Sequence, residues 1–356
     1  MSSPENPGDV AVRQTGPAPH PSGTGDQQVA CGGPDTADVV AHLRARGLVG
    51  DGPVTAEALS GGVSNDVVAV DAPGISVVVK RALQRLRVAE EWLADPSRVL
   101  GEAKALQTAA RYQPHHVPPV LDVDEAEFVI VIGRAERDAH EWKADLLHGR
   151  VDTRVAAEAG KVLAGWHRQT AGDAEVSREF ADTEAFEELR VDPFYRWTAR
   201  RHPDLASRIE SVLARMNATH TCLVHGDFSP KNVLISRSNT WIIDWEVAHY
   251  GDPSFDVAFL VTHLLCKALY RPASAEDYHD AASQFLHAYR DSIGPALPAM
   301  DQRHLTAQTA CLLLARMDGK SPVPYLDEPT RERGRALARV ALGDDTMMMN
   351  DLWTLL

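Results

Sequence analysis

The amino-acid sequence predicts an α+β fold in which a small β-sheet lobe precedes a larger, mostly helical lobe. Runs rich in valine and isoleucine, separated by glycine and proline turns, indicate strands within residues 36–132. Apolar residues that recur about every 3.6 positions indicate helices through much of residues 133–356. Residues 1–35 are rich in Pro, Gly, Ser, Asp and Gln and lack a hydrophobic period, which predicts a disordered N-terminal tail.

The composition is that of a globular protein with room for a full core. The chain has 356 residues, of which 44% are hydrophobic and 24% are charged. Its formal net charge of −14 argues against DNA or RNA as a partner, because a phosphate backbone requires a basic surface. The same charge is compatible with a neutral ligand or with a cationic one.

Cysteine spacing and hydropathy predict a cytoplasmic protein without a membrane partner. The four cysteines lie far apart and show no metal-binding spacing, which is typical of reduced thiols. The N-terminus has no apolar leader. The longest apolar run, residues 257–270, is interrupted by polar residues and is shorter than the roughly 20 residues that a membrane span needs. The composition leaves a monomer and a homodimer equally open.

The first lobe should begin with a short helix at about Thr36, which ends before Gly47. A glycine-containing turn at residues 58–66 follows, and a Pro73-Gly74 turn then joins two strands into a hairpin. A helix around residues 99–106 comes next. The expected strands of this lobe comprise residues 67–70, 75–79, 117–121 and 127–132.

The second lobe should open with a helix that Asp152 caps and that extends through His167. The remainder of the lobe has a helical pattern, except for a compact block at residues 222–246. The three short apolar strands expected in that block comprise residues 222–224, 233–235 and 241–243.

This block also carries the residues with the most informative chemistry. Asp227 and Asn232 lie in the loop after the first strand, and Asp244 and Glu246 follow the third. A carboxylate can accept the proton of a substrate hydroxyl, while amide and carboxylate oxygens are ligands that Mg²⁺ prefers. Taken alone, Asp227 could be a helix cap, and Asp244 with Glu246 could be an acidic strand end. Packing requirements do not explain why three strands and a loop with Asp227 and Asn232 occur together with that acidic pair.

The block resembles the aminoglycoside phosphotransferase and choline kinase family, which has a protein-kinase-like fold. The loop His225-Gly226-Asp227-Phe228-Ser229-Pro230-Lys231-Asn232 matches the H-x-D-x-x-x-x-N pattern of that family. The Asp-x-Glu turn is similar to that of choline kinase and of methylthioribose kinase-like members. The resemblance implies a small-molecule kinase that uses ATP and Mg²⁺, with Asp227 as catalytic base and Asn232, Asp244 and Glu246 as metal ligands. His225 and Asp256 would be structural, Asp256 by bracing the loop through its backbone N–H groups.

The resemblance also implies a nucleotide site in the first lobe. Lys80, at the end of the second hairpin strand, would hold the α- and β-phosphates of ATP. Its partner would be Glu102, with Glu90 and Glu91 as alternatives within a longer connection. The residues expected to contact the phosphates or the adenine through loop or backbone groups are Gly61, Gly62, Ser64, Asn65, Gly133 and Ala135.

The acceptor substrate is less constrained by the sequence. Arg190, Asp192, Arg316 and Lys320 are candidate substrate-binding residues in the helical lobe, although each also fits a solvated or salt-bridged helix end. An acidic run at residues 173–188 suits either a polycationic ligand or a solvated surface. The expected acceptor is a hydroxyl of a sugar-containing compound or of an antibiotic of aminoglycoside or nucleoside type. The alternatives are a methylthioribose-like salvage kinase and a catalytically silent kinase-like binding protein.

Overall fold

The first lobe is built on a five-stranded antiparallel sheet with the spatial strand order first, second, third, fifth, fourth. The computed structural model describes residues 35–59, 65–83, 85 and 95–356, and the predicted tail lies outside these ranges. The strands are β1 (Thr55–Ala58), β2 (Asn65–Ala72), β3 (Ile75–Ala82), β4 (Val120–Asp124) and β5 (Val129–Gly133).

The two faces of this sheet are buried against different helices, α1 (Thr36–Ala45) and α2 (Arg98–Tyr112). Side chains alternate along a strand, so neighbouring residues enter different clusters. Val129 and Val131 of β5 share a cluster with Leu43 of α1. Ile130 and Ile132 instead join the large core that includes α2. The strands therefore carry near-continuous apolar runs, as the sequence predicts.

The second lobe is mostly helical and contains two small sheets. Its helices are α3 (Trp142–Leu147), α4 (Thr153–Thr170), α5 (Ala174–Glu179), α6 (Glu184–Phe186), the π-helix Glu187–Arg196, α7 (Trp197–Arg201), α8 (Ala206–Asn217), α9 (Ser254–Tyr270), α10 (Ala275–Ile293), α11 (Gln302–Asp318), α12 (Glu328–Gly343) and α13 (Met349–Thr354), with 3₁₀ turns at Pro272–Ser274 and Gly294–Ala296. Its strands are β6 (His140–Glu141), β7 (Cys222–Val224), β8 (Val233–Ile235), β9 (Thr240–Ile242) and β10 (His249–Gly251), paired as β6-β8-β9 and β10-β7.

The core of this lobe lies around α9 and α11, whose residues are almost all buried. Helices α4 and α10 approach each other closely at Gly160. A Cβ at that position would lie 2.5 Å from the carbonyl oxygen of Phe285. Only a glycine therefore permits the observed spacing of the two helices.

Most of the predicted elements are confirmed, including α1, the β2–β3 hairpin and the cap of α4, where Asp152 accepts the N–H of Arg154 at 2.9 Å. The strand predicted at residues 117–121 begins only at Val120. Proline has no N–H to donate to a ladder. The carbonyl of Pro119 nonetheless accepts the N–H of Gly133 at 2.8 Å, so the pairing starts just after the prolines.

The π-helix Glu187–Arg196 was not predicted. It contains Pro193, which cannot donate an intrahelical hydrogen bond. The carbonyl of Pro193 accepts the N–H of Lys320 at 3.2 Å, a contact from the segment just after α11 that supports the irregular winding. None of the helices in the described ranges combines the length and the apolarity that crossing a membrane requires.

The two interior glycines Gly160 and Gly101 form a matched pair for testing the helix packing. Gly160→Ala should lower the free energy of unfolding by about 1–3 kcal/mol, because the added methyl group overlaps the Phe285 carbonyl. Gly101→Ala in α2 should raise it by about 0.5–1 kcal/mol, because a Cβ there meets nothing within 4 Å and alanine favours the helix. Chemical denaturation measures both. Changes of the same sign would contradict the close approach of α4 and α10.

Candidate active site

Asp227 lies in the loop between β7 and β8, and the buried carboxylate of Asp256 binds the backbone of that loop. Asp256 accepts the N–H of His225 at 2.7 Å and that of Gly226 at 2.8 Å. Gly226 has a φ of +78°, and a Cβ there would lie 2.7 Å from the carbonyl oxygen of Val247. The expectation that Asp256 braces the loop through backbone N–H groups is confirmed.

His225 has a structural position. Its Nδ1 accepts the N–H of Asp227 at 3.0 Å, and its Nε2 lies 3.1 Å from the carbonyl oxygen of Ile243. Because the first contact requires an unprotonated Nδ1, the ring is neutral with its hydrogen on Nε2. Burial lowers the pKa of His225 below its usual value. The imidazole thus links the loop to the segment that carries Asp244.

The carboxylate of Asp227 is held by two side chains and remains partly accessible. The amide nitrogen of Asn232 donates to Asp227 Oδ2 at 2.8 Å and to the Asp227 carbonyl at 3.0 Å. Arg190 Nη2 lies 2.9 Å from Asp227 Oδ2. Asp227 is thereby fixed in orientation, and the amide oxygen of Asn232 is left to face another ligand.

Lys80 links the two lobes through its ammonium group. Its Nζ lies 2.6 Å from Glu102 Oε1 on α2 and 2.8 Å from Asp244 Oδ1 in the second lobe. Asp244 adopts a φ of +72°, which is rare for a residue with a side chain and is found mainly where surrounding contacts impose it. A contact between residues from three separate segments therefore places the Asp244 carboxylate.

Burial and mutual attraction determine the charges of this trio. Burial opposes the positive charge of Lys80, but Asp244 and Glu102 outweigh it and raise the pKa of the ammonium. Burial likewise opposes the negative charge of Asp244, but Lys80 outweighs it and lowers the pKa of that carboxyl. Burial raises the pKa of Glu102 to about 7 despite the attraction of Lys80. Asp244 is therefore the carboxylate of the pair that carries a firm negative charge.

Glu246 is buried and is not among the residues that line the cleft between the lobes. Its Oε2 accepts from Asn65 Nδ2 at 3.1 Å and from Arg98 Nε at 3.2 Å. Arg98 is a site residue that the sequence analysis missed. A basic residue at the start of a helix has no local signal that connects it with a carboxylate 148 positions away.

A cleft of about 360 Å³ runs between the lobes. The predicted site residues that line it are Asn65, Lys80, Glu102, Gly133, Ala135, Asn232 and Asp244. The N–H of Gly133 donates to the carbonyl of Pro119, and the N–H of Arg134 donates to the carbonyl of Ser76 at 3.2 Å. The N–H of Ala135 has no acceptor within the described ranges, which leaves it for a ligand. Gly61, Gly62, Ser64, Glu90 and Glu91 lie outside the described residues.

The four candidate substrate residues divide into two groups. Arg190 contacts Asp227 directly, and the guanidinium of Arg316 lies 5.6 Å from the ring centroid of Phe194 in the π-helix. Lys320 lies 5.9 Å from the ring centroid of Trp197. Asp192 faces outward and pairs with Arg200 at 3.6 Å. The structure thus brings Arg190 and Arg316 toward the loop that holds Asp227.

The donor set in the cleft fits Mg²⁺. The described residues contain no group of three His, Cys, Asp or Glu side chains placed to hold a metal ion by themselves. Asp244 and Asn232 nevertheless both line the cleft and offer a carboxylate and an amide oxygen. Magnesium in phosphate-binding sites uses one or two protein carboxylates and takes its other ligands from phosphates and water.

The protein-kinase-like fold and the cleft between its lobes define the class of the protein. The chain belongs to the phosphotransferase enzyme family APH, whose family model matches residues 55–300. A methylthioribose kinase of Yersinia pseudotuberculosis is 28% identical over 259 residues, which cover 64% of this chain and 63% of that protein. A methylthioribose kinase of Pectobacterium atrosepticum is 28% identical over 241 residues, which cover 60% of each chain. The chain thus spans slightly less than two thirds of the length of these curated relatives.

Two solved structures share the fold at low sequence identity. A choline/ethanolamine kinase family protein from Mesorhizobium loti has a TM-score of 0.51 and 18% identity, covering 90% of this chain and 98% of that one. An amicoumacin kinase has a TM-score of 0.51 and 15% identity, covering 87% of this chain and 94% of that one. These likenesses concern the fold, and the predicted protein-kinase-like architecture is confirmed.

The tautomer of His225 is open to direct measurement. We expect the ring to carry its hydrogen on Nε2 and to stay neutral at pH 6.5, because burial lowers its pKa below that value. Long-range ¹⁵N–¹H NMR correlation of the imidazole across a pH titration measures both properties. A protonation midpoint at or above pH 6.5, or a hydrogen on Nδ1, would contradict the structural role.

Proposed function

We propose that the protein is an ATP-dependent kinase that transfers the γ-phosphoryl group to a hydroxyl of a small molecule, with Asp227 as the catalytic base. The observation that carries this proposal is that two bonded groups of side chains meet in one cleft. Lys80, bonded to Glu102 and Asp244, lines the cleft, and so does Asn232, which is bonded to Asp227. Membership of the phosphotransferase family APH supports the same activity.

The cleft offers distinct contacts for the two ends of ATP. The firmly charged ammonium of Lys80 suits the α- and β-phosphates. The N–H of Ala135 suits an acceptor nitrogen on the adenine edge, and Ile132 and Val78 add apolar walls for the base. The predicted glycine turn at residues 58–66 would cover the phosphates, a role that stays a prediction.

Asp244 and Asn232 would hold Mg²⁺, which when bound supplies positive charge against the phosphate oxygens. Glu246 contributes differently, because it is engaged by Arg98 and Asn65. Through these contacts it ties α2 and β2 to the turn that carries Asp244. Its direct ligation of the metal stays a prediction.

The proton and the phosphoryl group move in opposite directions. The acceptor oxygen forms a bond to the γ-phosphorus as the bond from that phosphorus to the bridging oxygen breaks, and ADP leaves with the electron pair. The hydroxyl proton passes to the carboxylate of Asp227. The amide of Asn232 and the guanidinium of Arg190 hold that carboxylate in place. Phosphoryl transfer depends mainly on such positioning and on electrostatic stabilisation.

The acceptor classes that follow from the family are a sugar-containing metabolite and an antibiotic with a sugar or nucleoside hydroxyl. The methylthioribose kinase relatives favour the metabolite class at 28% identity. A catalytically silent binding protein is disfavoured, because Lys80, Asp227, Asn232 and Asp244 are all present and in mutual contact or on one cleft.

Substitution of Asp227 tests the assignment of the base. Asp227→Asn should reduce phosphate transfer at least about 100-fold, because the amide cannot accept the hydroxyl proton. ATP affinity should be retained, since Asp227 is not among the residues that line the nucleotide cleft. The measurement combines calorimetric ATP binding with mass detection of phosphorylated products across aminoglycosides, nucleoside antibiotics, macrolides, thioribose and choline.

The exposed Asp280→Asn on α10 is the matched control for this substitution and should keep full activity. Undiminished transfer in Asp227→Asn would remove Asp227 from the mechanism. Nucleotide binding by the unsubstituted protein without transfer to any compound of the panel would favour the silent binding protein.

A further inference from the structure

A group of basic side chains, here called the basic cluster, lies beside Asp227 in the helical lobe. Its members come from α3, the π-helix, α9 and α11, and they act electrostatically on one another; they are Lys143, Arg190, His263, Lys267 and Arg316. The backbone of α3 is tied to the catalytic loop, because the N–H of Lys143 donates to the carbonyl of Pro230 at 2.9 Å. Four elements distant in sequence therefore bring basic side chains within electrostatic range of one another.

The two arginines of the basic cluster connect it to Asp227. Arg190 Nη2 lies 2.9 Å from Asp227 Oδ2. The guanidinium carbons of Arg190 and Arg316 lie 5.9 Å and 5.6 Å from the centroid of the same Phe194 ring. Arg316 and Arg190 thus contact the same aromatic ring, and Arg190 in turn contacts Asp227, the proposed base.

Lys267 is the most unusual member, because its side chain is buried and no carboxylate of the described residues pairs with it. The residue is 1% exposed, and its Nζ donates to the carbonyl of His263 at 3.2 Å. Burial lowers the pKa of Lys267 to about 7, with repulsion from Lys143 and Arg316 acting in the same direction. A buried ammonium costs free energy unless an anion accompanies it.

The described part of the chain supplies little negative charge here. Arg190 pairs with Asp227, but no described carboxylate lies within 4.0 Å of the side-chain nitrogens of Lys143, Lys267 or Arg316. Two further buried donors in the same region find no partner among the described residues, namely Arg316 Nε and the hydroxyl of Tyr325, whose ring centroid lies 5.8 Å from Lys267 Nζ. Positive charge and unused donors at one site are the features of an anion-binding site.

We propose that the basic cluster binds an anionic group of the acceptor, a carboxylate or a phosphate, so that the protein phosphorylates negatively charged hydroxyl compounds. This inference rests on the proposed kinase function and narrows its acceptor. An anion at Arg316 and Lys267 would neutralise the buried charge and favour protonation of the lysine. A polycationic aminoglycoside or a choline would meet repulsion at the same place. Arg190 belongs to the basic cluster and also contacts Asp227. An acceptor whose anionic group is bound by the cluster would therefore have its hydroxyl close to Asp227.

Binding of matched sugars tests this proposal without requiring turnover. The full chain is saturated with AMP-PNP and Mg²⁺, and D-gluconate, glucose 6-phosphate, glucose and glucosamine are titrated by calorimetry. D-Gluconate and glucose 6-phosphate show whether the cluster prefers a carboxylate or a phosphate. Glucose and glucosamine are the neutral and cationic controls. We expect at least one anionic sugar to bind at least about tenfold more tightly than glucose, as a charge-assisted hydrogen bond allows.

Two substitutions connect the binding to the basic cluster. Arg316→Gln and Lys267→Met should each weaken binding of the anionic sugar at least about tenfold, with ATP affinity unchanged. Lys267→Met should also raise the melting temperature, because methionine fills the space without a buried charge. Lys161→Met, at an exposed position on α4, is the matched control and should change neither.

The outcomes separate this proposal from the kinase itself. Equal or tighter binding of glucose or glucosamine, or loss of anion binding in Lys161→Met to the same extent, would overturn the anionic acceptor. A lower melting temperature of Lys267→Met with unchanged anion binding would assign Lys267 a purely structural role and overturn it too. Asp227-dependent transfer to a neutral acceptor, unaffected by Arg316→Gln, would keep the kinase and exclude the anion site. Cluster-dependent anion binding without transfer to any hydroxyl compound would keep the anion site and exclude the kinase.

Discussion

The ammonium of Lys80 is the group on which the arrangement of the site depends. It belongs to the β lobe, yet one of its two carboxylate partners, Asp244, comes from the helical lobe. Lys80 and Glu102 are almost completely buried, so their charges cannot be compensated by water. Removing one member of such a trio would leave an unpaired buried charge, which costs far more than a surface ion pair. The same contact therefore couples the sheet, α2 and the proposed metal-binding turn.

The loop that holds Asp227 is subject to a second constraint, which acts through its backbone. Asp256 is buried at the start of α9 and uses both carboxylate oxygens for consecutive N–H groups of the loop. The imidazole of His225 then connects the loop to the Ile243 carbonyl, next to the residue with a φ of +72°. Backbone conformations of this kind persist only when neighbouring contacts over-determine them. The rigid core around α9 and α11 thus supports Asp227 and Asp244 together.

The charge of the site differs from the charge of the chain. The net charge of −14 is a sum over the whole sequence and by itself suits a neutral or cationic ligand. Much of the acidic run at residues 173–188 serves local roles. Asp173 caps α5, Glu179 pairs with Arg111, and Glu187 pairs with Arg196. Beside Asp227 the structure instead places basic side chains, since Arg190 contacts its carboxylate and Arg316 lies within electrostatic range of both residues.

The sequence by itself determined the order of the two lobes and placed Asp227 and Asn232 five positions apart in one short segment. Their proposed roles came from the family resemblance, and the hydrogen bond between them was found only in the structure. The resemblance likewise predicted the pairing of Lys80 with Glu102, with Glu90 and Glu91 as alternatives, and the structure shows the contact between Lys80 and Glu102. Only the tertiary structure decided the position of Lys267, which in the sequence is simply a charge within an apolar run, and the π-helix that brings Arg190 to Asp227. Both depend on contacts between elements far apart in the chain, and local residue patterns contain no information about which of those elements become neighbours.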